Sequence, residues 1–326
     1  MGNSGGIMSA SRNGTVKMLV LGCMGAGKSS FIRQIVKIYG TKNQTMIRNY
    51  YVWCVQLNLV NIYRELKNVC TSLEIDWSKY EESFAVIDVW RPKEVMKSEV
   101  VVAIRKIRSS GLFDACRKRQ RILQLPQNYN YHINNTEQYL AEDYIPSEMD
   151  IMMTYSPTIG HNSEEVTVAN FRFQMLEMPG HHIWRARWAR WFNDTDLVTF
   201  IIDMSEVCDP AFYDKGHLQD KTVSVFKNLR ENELLKKCFW LLLFNKNDTF
   251  NDHAAGFDFK KLANHVDTAD NARSFYRGQF TADLDKNKSY VHMVSLVNNA
   301  ESKTVVSEMF KKVSKYHRDR LMNQLT

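Results

Sequence analysis

The sequence predicts an α/β protein, a mostly parallel, doubly wound sheet with an all-helical segment inserted into it. Three observations carry that expectation. A short apolar run leads directly into Gly22-x-x-x-x-Gly27-Lys28-Ser29 and then into a helical pattern. A second apolar run, "FWLLLF" at 239–244, ends in Asn245-Lys246-x-Asp248. Between them, from about 41 to 150, strand-like alternation gives way to helical periodicity.

Lys17–Leu21 reads as a buried strand, and Ile32, Ile35, Val36 and Tyr39 mark one face of the helix after the glycine loop. Strand, glycine loop and helix are the setting in which this spacing holds phosphate. The loop N–H groups converge inward, and the helix N-terminus adds the positive end of its dipole. Gly22, Gly25, Ala26, Gly27 and Ser30 would line that cradle, Lys28 would reach the β- and γ-phosphates, and the Ser29 hydroxyl would ligate Mg2+. Asn245-Lys246-x-Asp248 names the base. A carboxylate in the base plane, at Asp248, accepts two hydrogen bonds from guanine N1 and N2, where adenine has no such donor pair; Asn245 and Lys246 would brace the loop. The expected ligand is GTP or GDP.

In the insertion, Met46, Tyr50, Trp53, Leu57 and Val60 step by 4, 3, 4 and 3, which predicts one apolar stripe on a long helix. Further helices are expected near 79–90, 96–106, 111–123 and 135–142. From 170 onward "FRFQML" (171–176), "LVTFII" (197–202), "FWLLLF" (239–244) and "YVHMVS" (290–295) read as strands separated by helical stretches. A helix over 303–322 follows, with Val306, Met309, Phe310 and Val313 on one face. Strands alternating with helices imply a parallel sheet. The expected division is 1–40 as the N-terminal segment and first part of the sheet domain, 41–150 as the helical insertion, and 151–326 as the remainder.

Composition excludes several classes. With 44% hydrophobic residues the 326-residue chain can fill two cores, and its net charge of +7 comes from basic residues interspersed with acidic ones. That pattern reads as a solvated surface rather than a nucleic-acid patch. No run of 18 apolar residues is present, "MGNSGGIMSASRNG" lacks the apolar core of a signal peptide, and six cysteines occur without Cys-x-x-Cys pairs. A cytoplasmic protein with reduced thiols is expected.

"EMPGHHIWRARWARW", 177–191, spaces Trp184, Trp188 and Trp191 at i, i+4 and i+7 with Arg185, Arg187 and Arg190 between them. A metal site on His181 and His182, a nucleic-acid-binding helix and the moving part of a nucleotide switch all fit it. Adjacent histidines are expected to point apart, and aromatic stripes at this spacing are usually packing surfaces, so the switch is the preferred reading.

The phosphate loop, the helical insertion and the guanine motif, in this order, resemble a heterotrimeric G-protein α subunit. "RQIVKIYG", "DYIPSEMDIMMTYSPTIG" (143–160) and "FRFQMLEMPGHHIWRARW" (171–188) extend the resemblance over about 17 to 326. It implies a Ras-like P-loop GTPase domain, a helical domain closing over the nucleotide, Mg2+, and control by a G-protein-coupled receptor, an effector and a βγ partner. It also implies residue roles. Thr158 would ligate Mg2+ and the γ-phosphate, Glu177 would hold a magnesium-bound water, the Gly180 N–H would meet the γ-phosphate, and the Leu296 N–H would meet guanine O6.

The departures from the family pattern are informative. Tyr155 stands where the family has an arginine that stabilises the transition state; for enzymes of this class such a residue is established as worth roughly 10³–10⁵ in rate. His181 replaces the glutamine that orients the attacking water, although Pro-Gly-His is also similar to the switch of translational GTPases, where histidine positions that water. Gly25 replaces an acidic residue that closes over the nucleotide, and Val294-Ser295-Leu296-Val297 replaces Thr-Cys-Ala-Thr, which predicts faster nucleotide release. Weak intrinsic GTP hydrolysis is expected; the alternative is a pseudo-GTPase scaffold that does not cycle. Sixteen residues with four glycines precede Lys17, which argues against the N-terminal helix that binds βγ. Gly2 follows the initiator Met as N-myristoylation requires, which would bring the chain to the inner face of the plasma membrane, while position 6 is Gly and position 3 Asn.

Overall fold

The computed structural model describes residues 15–40, 44–91, 96–120, 123, 125–126, 128–156, 161–209 and 218–325. The chain forms two compact units, 43–157 and the remainder.

In the remainder, six strands form one sheet: β1 Thr15–Gly22, β2 Asn162–Val168, β3 Phe171–Glu177, β4 Leu197–Asp203, β5 Phe239–Asn245 and β6 Ser289–Met293. Their order is β2-β3-β1-β4-β5-β6. Every neighbouring pair is parallel except β2 with β3. β4 and β5 are buried almost throughout, because helices cover both faces of a parallel sheet and leave no wet side for alternation. On one face, Phe31 and Ile35 of α1 (Lys28–Tyr39) pack with Val306, Met309, Phe310 and Val313 of the helix Asn299–Leu325. On the other, Phe226 of the helix Leu218–Glu231 packs with Tyr276 and Phe280 of the helix Ala269–Thr281. The sheet is thus doubly wound, as the sequence predicts.

β2 was not expected from the sequence. "NSEEVTV" buries only Val166, so its polar residues mask it as a strand. Ala169 and Asn170, both with positive φ (49° and 67°), join it to β3 through the two-residue loop set by the Val168–Phe171 pairing. Positive φ at both loop positions is the turn that matches strand twist.

The 43–157 unit is built on α2 (Gln44–Ser72), with further helices Glu81–Val89, Ser98–Arg108, Leu112–Arg119, Tyr129–Asn134, Thr136–Tyr139 and Glu148–Met153. Of the predicted α2 stripe, Val60 is buried as expected, but the rest is rotated from the observed buried face. Tyr50 is 57% exposed and Trp53 and Leu57 are half-buried, whereas Val55, Leu59, Ile62, Tyr63 and Leu66 are buried against Phe84, Ile104 and Phe113. Two apolar stripes with the same spacing lie side by side, and periodicity alone does not choose between them. The side chain of Met46 lies outside the described residues. The helix Glu148–Met153, also not anticipated, starts from a capping box: the Asp150 N–H donates to Ser147 Oγ (3.1 Å) and the Ser147 N–H to Asp150 Oδ2 (2.8 Å).

All six cysteines are free, including the buried pair Cys70 and Cys116 with sulfurs 3.5 Å apart. Among the described residues no helix is long and apolar enough to cross a membrane. Gly2 and the rest of the N-terminal segment, on which the myristoylation and βγ expectations rest, lie outside the described residues.

Candidate functional site

β1 closes at Gly22, the loop turns through half-buried Gly25 and buried Ala26, and α1 starts at Lys28. Gly27 has φ of 104°, and a Cβ there would run into the Asn245 side-chain amide, so the position takes glycine only. Lys28 is 6% exposed, and its ammonium donates to Gly22 O (3.1 Å) and Cys23 O (2.8 Å). Burial pulls its pKa down to about 8, with nearby Glu177 opposing the shift. Ser30 is half-buried in the first turn of α1.

Glu177 ends β3, opposite Val20 of β1, and is 2% exposed. This register brings it to the phosphate loop, where the Ser29 hydroxyl donates to Glu177 Oε1. A hydroxyl and a carboxylate side by side form a hard oxygen donor set of the kind Mg2+ takes. Thr158, the other expected ligand, lies outside the described residues.

Asn245, 4% exposed at the end of β5, joins the two ends of the site. Its Nδ2 donates to Ala26 O (2.9 Å), and the Leu296 N–H donates to its Oδ1 (3.0 Å). The Leu296 N–H, expected to face guanine, is therefore engaged by Asn245. Buried Gln34 of α1, for which the sequence predicts no role, donates to Leu296 O (2.7 Å). Its signal was a glutamine among Phe31, Ile32 and Ile35 on the apolar face of α1. Lys246 adopts φ of 63° and pairs with Asp203 Oδ2 at 2.5 Å. Asp248 is exposed, its backbone N–H donates to Ser295 Oγ (3.0 Å), and its carboxylate takes no hydrogen bond among the described residues.

Gly180 packs onto the phosphate loop so closely that a Cβ would lie 2.5 Å from Lys28 Nζ and 2.6 Å from Cys23 O. His181 caps the one-turn helix His182–Arg185, with Nδ1 accepting from the Ile183 N–H at 3.5 Å. The His181 and His182 rings do not point apart as expected: their centroids are 4.4 Å apart at 31°. The backbone turns from extended to helical between them, which brings the side chains together. The Trp/Arg run is not one helix either. A turn separates His182–Arg185 from a 3-10 segment, Trp188–Trp191, and this break in phase sends Trp188 into the core, 2% exposed, with Nε1 donating to Pro179 O (3.0 Å). Trp184 is half-buried under the Arg187 guanidinium, 4.4 Å from its centroid. Arg185 Nε donates to Gly180 O (3.1 Å) and its Nη2 to Cys23 Sγ (3.3 Å).

A polar chain that the sequence did not reveal runs beneath the loop. Cys23 Sγ lies 3.3 Å from Thr222 Oγ1, Thr222 donates to Glu206 Oε2 (3.3 Å), and the Tyr276 hydroxyl donates to Glu206 Oε1. Glu206 keeps some exposed surface, but its carboxyl is enclosed, and this desolvation, with the Asp203 charge, lifts its pKa to about 8. Tyr155 belongs to the 43–157 unit, is 36% exposed, and is held there by Asn58.

A doubly wound parallel sheet whose first strand opens through a glycine loop into a helix, with a helical unit inserted after that helix, defines a class of P-loop α/β protein. The chain belongs to the G-protein alpha subunit family, whose profile matches residues 7–313. It is 25% identical over 247 residues to guanine nucleotide-binding protein subunit alpha-13 of Mus musculus, covering 72% of this chain and 65% of that protein. It is 24% identical over 307 residues to the G(o) subunit alpha of Geodia cydonium, covering 89% and 85%. It is also 24% identical over 243 residues to a G-protein alpha subunit of Emericella nidulans, covering 73% and 69%. The chain thus spans 65% of the length of alpha-13.

Proposed function

We propose that this chain is a guanine-nucleotide switch that binds GTP and GDP with Mg2+, hydrolyses GTP slowly, and carries a signal from a receptor to an effector. The observation that carries the reading is the Asn245 brace. It ties Ala26 of the phosphate loop to Leu296 of the base loop, so both ends of one nucleotide are held in register, while the Asp248 carboxylate stands exposed beside them. Lys28 leaves its two carbonyl acceptors for β- and γ-phosphate oxygens, exchanging neutral acceptors for charged ones. The close approach of Gly180 to Lys28 supports a role for its N–H as the sensor of the γ-phosphate. Ser29, Thr158 and, through water, Glu177 would hold Mg2+, which neutralises charge on the β- and γ-phosphates. His181 would orient the attacking water once its ring leaves the Ile183 N–H. Tyr155 brings a hydroxyl but no positive charge, which supports slow turnover. Leu296 can meet guanine O6 when its N–H is shared with, or released by, Asn245.

The alternative, a pseudo-GTPase scaffold, draws on the same His181 cap and Leu296 bond, which occupy one group that turnover needs and one that base recognition needs. Titration with GDP and a non-hydrolysable fluorescent GTP analogue, alongside single-turnover hydrolysis, separates the two. Lys28→Ala and Asp248→Ala should each abolish tight binding. Absence of guanine-nucleotide binding at micromolar concentration would overturn the nucleotide reading, and binding without hydrolysis would favour the scaffold.

A further inference from the structure

We propose that Arg185 is a catalytic residue of this site, its guanidinium supplying the γ-phosphate with the positive charge that Tyr155 lacks. The inference rests on the phosphate-site reading above. Arg185 bonds the two backbone segments that flank the Lys28 ammonium: Gly180, through its carbonyl, and Cys23, through its sulfur. Cys23 also accepts from Lys28 Nζ at 2.8 Å, and Gly180 packs directly against that nitrogen. The guanidinium therefore sits on the rim where the γ-phosphate of a nucleotide held by Lys28 would lie.

Its present partners do not satisfy it. Among the described residues it pairs with no carboxylate; its acceptors are a neutral carbonyl and a thiol that burial keeps protonated. A thiol is a weak acceptor, and a guanidinium is a cation at any pH a protein tolerates. Among the described residues the nearby charged groups include Lys28, which it repels, Glu177 and Lys246 near Lys28, and Glu206 beyond Cys23. Two cations at one glycine loop, one without a counter-ion among the described residues, form a site for a polyanion. Exchanging sulfur for a phosphate oxygen turns a weak bond into a charge-assisted one. The Arg185 side chain is only half-buried, on a single-turn helix whose N-terminal side-chain cap is a 3.5 Å contact from the Ile183 N–H to His181 Nδ1. Arg187 and Arg190 are both exposed, and Arg187 lies over Trp184.

In the reaction, a water oxygen bonds the γ-phosphorus as the bond to the β–γ bridging oxygen breaks. The electron pair leaves on GDP and the water proton leaves with the released phosphate. Arg185 stays protonated throughout and stabilises the oxygens that gain charge.

The test compares wild type, Arg185→Gln, Arg185→Lys and Arg187→Gln for affinity to GDP, affinity to GDP with aluminium fluoride, and single-turnover hydrolysis. Arg185→Gln should keep GDP affinity while losing the added affinity for aluminium fluoride and slowing hydrolysis on the order of 10³-fold. Arg185→Lys should recover part of both, Arg187→Gln should match wild type, and adding Tyr155→Arg to Arg185→Gln should restore hydrolysis. Unchanged hydrolysis and aluminium-fluoride affinity in Arg185→Gln would overturn the proposal, as would equal losses of GDP affinity and hydrolysis. Wild-type chain that binds GDP but neither hydrolyses GTP nor responds to aluminium fluoride would overturn it alone. Wild-type chain that binds no guanine nucleotide would overturn the nucleotide reading with it.

Discussion

Asn58 grips the backbone of Tyr155 with both ends of its side-chain amide: Nδ2 donates to Tyr155 O at 2.7 Å, and the Tyr155 N–H donates to Asn58 Oδ1 at 2.8 Å. An amide side chain thus does what a neighbouring strand would do, from a residue only 6% exposed on α2. Asn58→Ala removes both of these part-buried hydrogen bonds, each worth about 0.5–1.5 kcal/mol. Urea denaturation should show that loss, with Asn58→Asp intermediate because it keeps only the acceptor.

The same clasp fixes the backbone of Tyr155 while its side chain is 36% exposed, so the side chain can be exchanged cheaply. Tyr155→Arg is expected to leave the denaturation midpoint within error and to raise single-turnover GTP hydrolysis. An unchanged rate here, with Tyr155→Arg effective only when Arg185 is also replaced, would show that Arg185 already supplies the charge; no effect in either background would show that His181 limits turnover.

Asn245→Ala removes the bond to Ala26 O and strands the Leu296 N–H in a buried place. It should cost about 1–3 kcal/mol in denaturant titrations and also abolish guanine-nucleotide binding. Nucleotide affinity at the wild-type level would show that the two loops hold their register without this brace.

Glu206 predicts a pH dependence. Its folded-state pKa of about 8 lies above the ordinary 4.5, so the fold favours the protonated carboxyl. Its contribution to stability is fully present below about 4.5, falls as pH rises, and is gone above about 8. Lys28, lowered from 10.5 to about 8, acts with the opposite sign in the higher window, its stability contribution rising with pH. Glu206→Gln should therefore flatten the decline between about 4.5 and 8 and leave the higher window unchanged. A wild-type decline that survives the substitution would refute the assignment.

The sequence alone determined the parts whose chemistry is local. Gly22 to Ser29, Asn245 to Asp248, and the apolar runs of β1, β3, β4 and β5 each carry their signal within a few residues, because strand burial and loop geometry are set by near neighbours. The buried stripe of α2, the polar strand β2 and the break at Trp188 were not legible, since each depends on which of several local options the rest of the fold buries. Tertiary structure alone decided the contacts that matter most to the site: Asn245 with Ala26, Arg185 with Cys23, Glu206 with Tyr276, and Asn58 with Tyr155. Their partners lie 219, 162, 70 and 97 residues apart in the chain, and hydrogen bonds over such separations leave no periodic trace. A polar side chain finds its partner only after hydrophobic burial has brought the segments together.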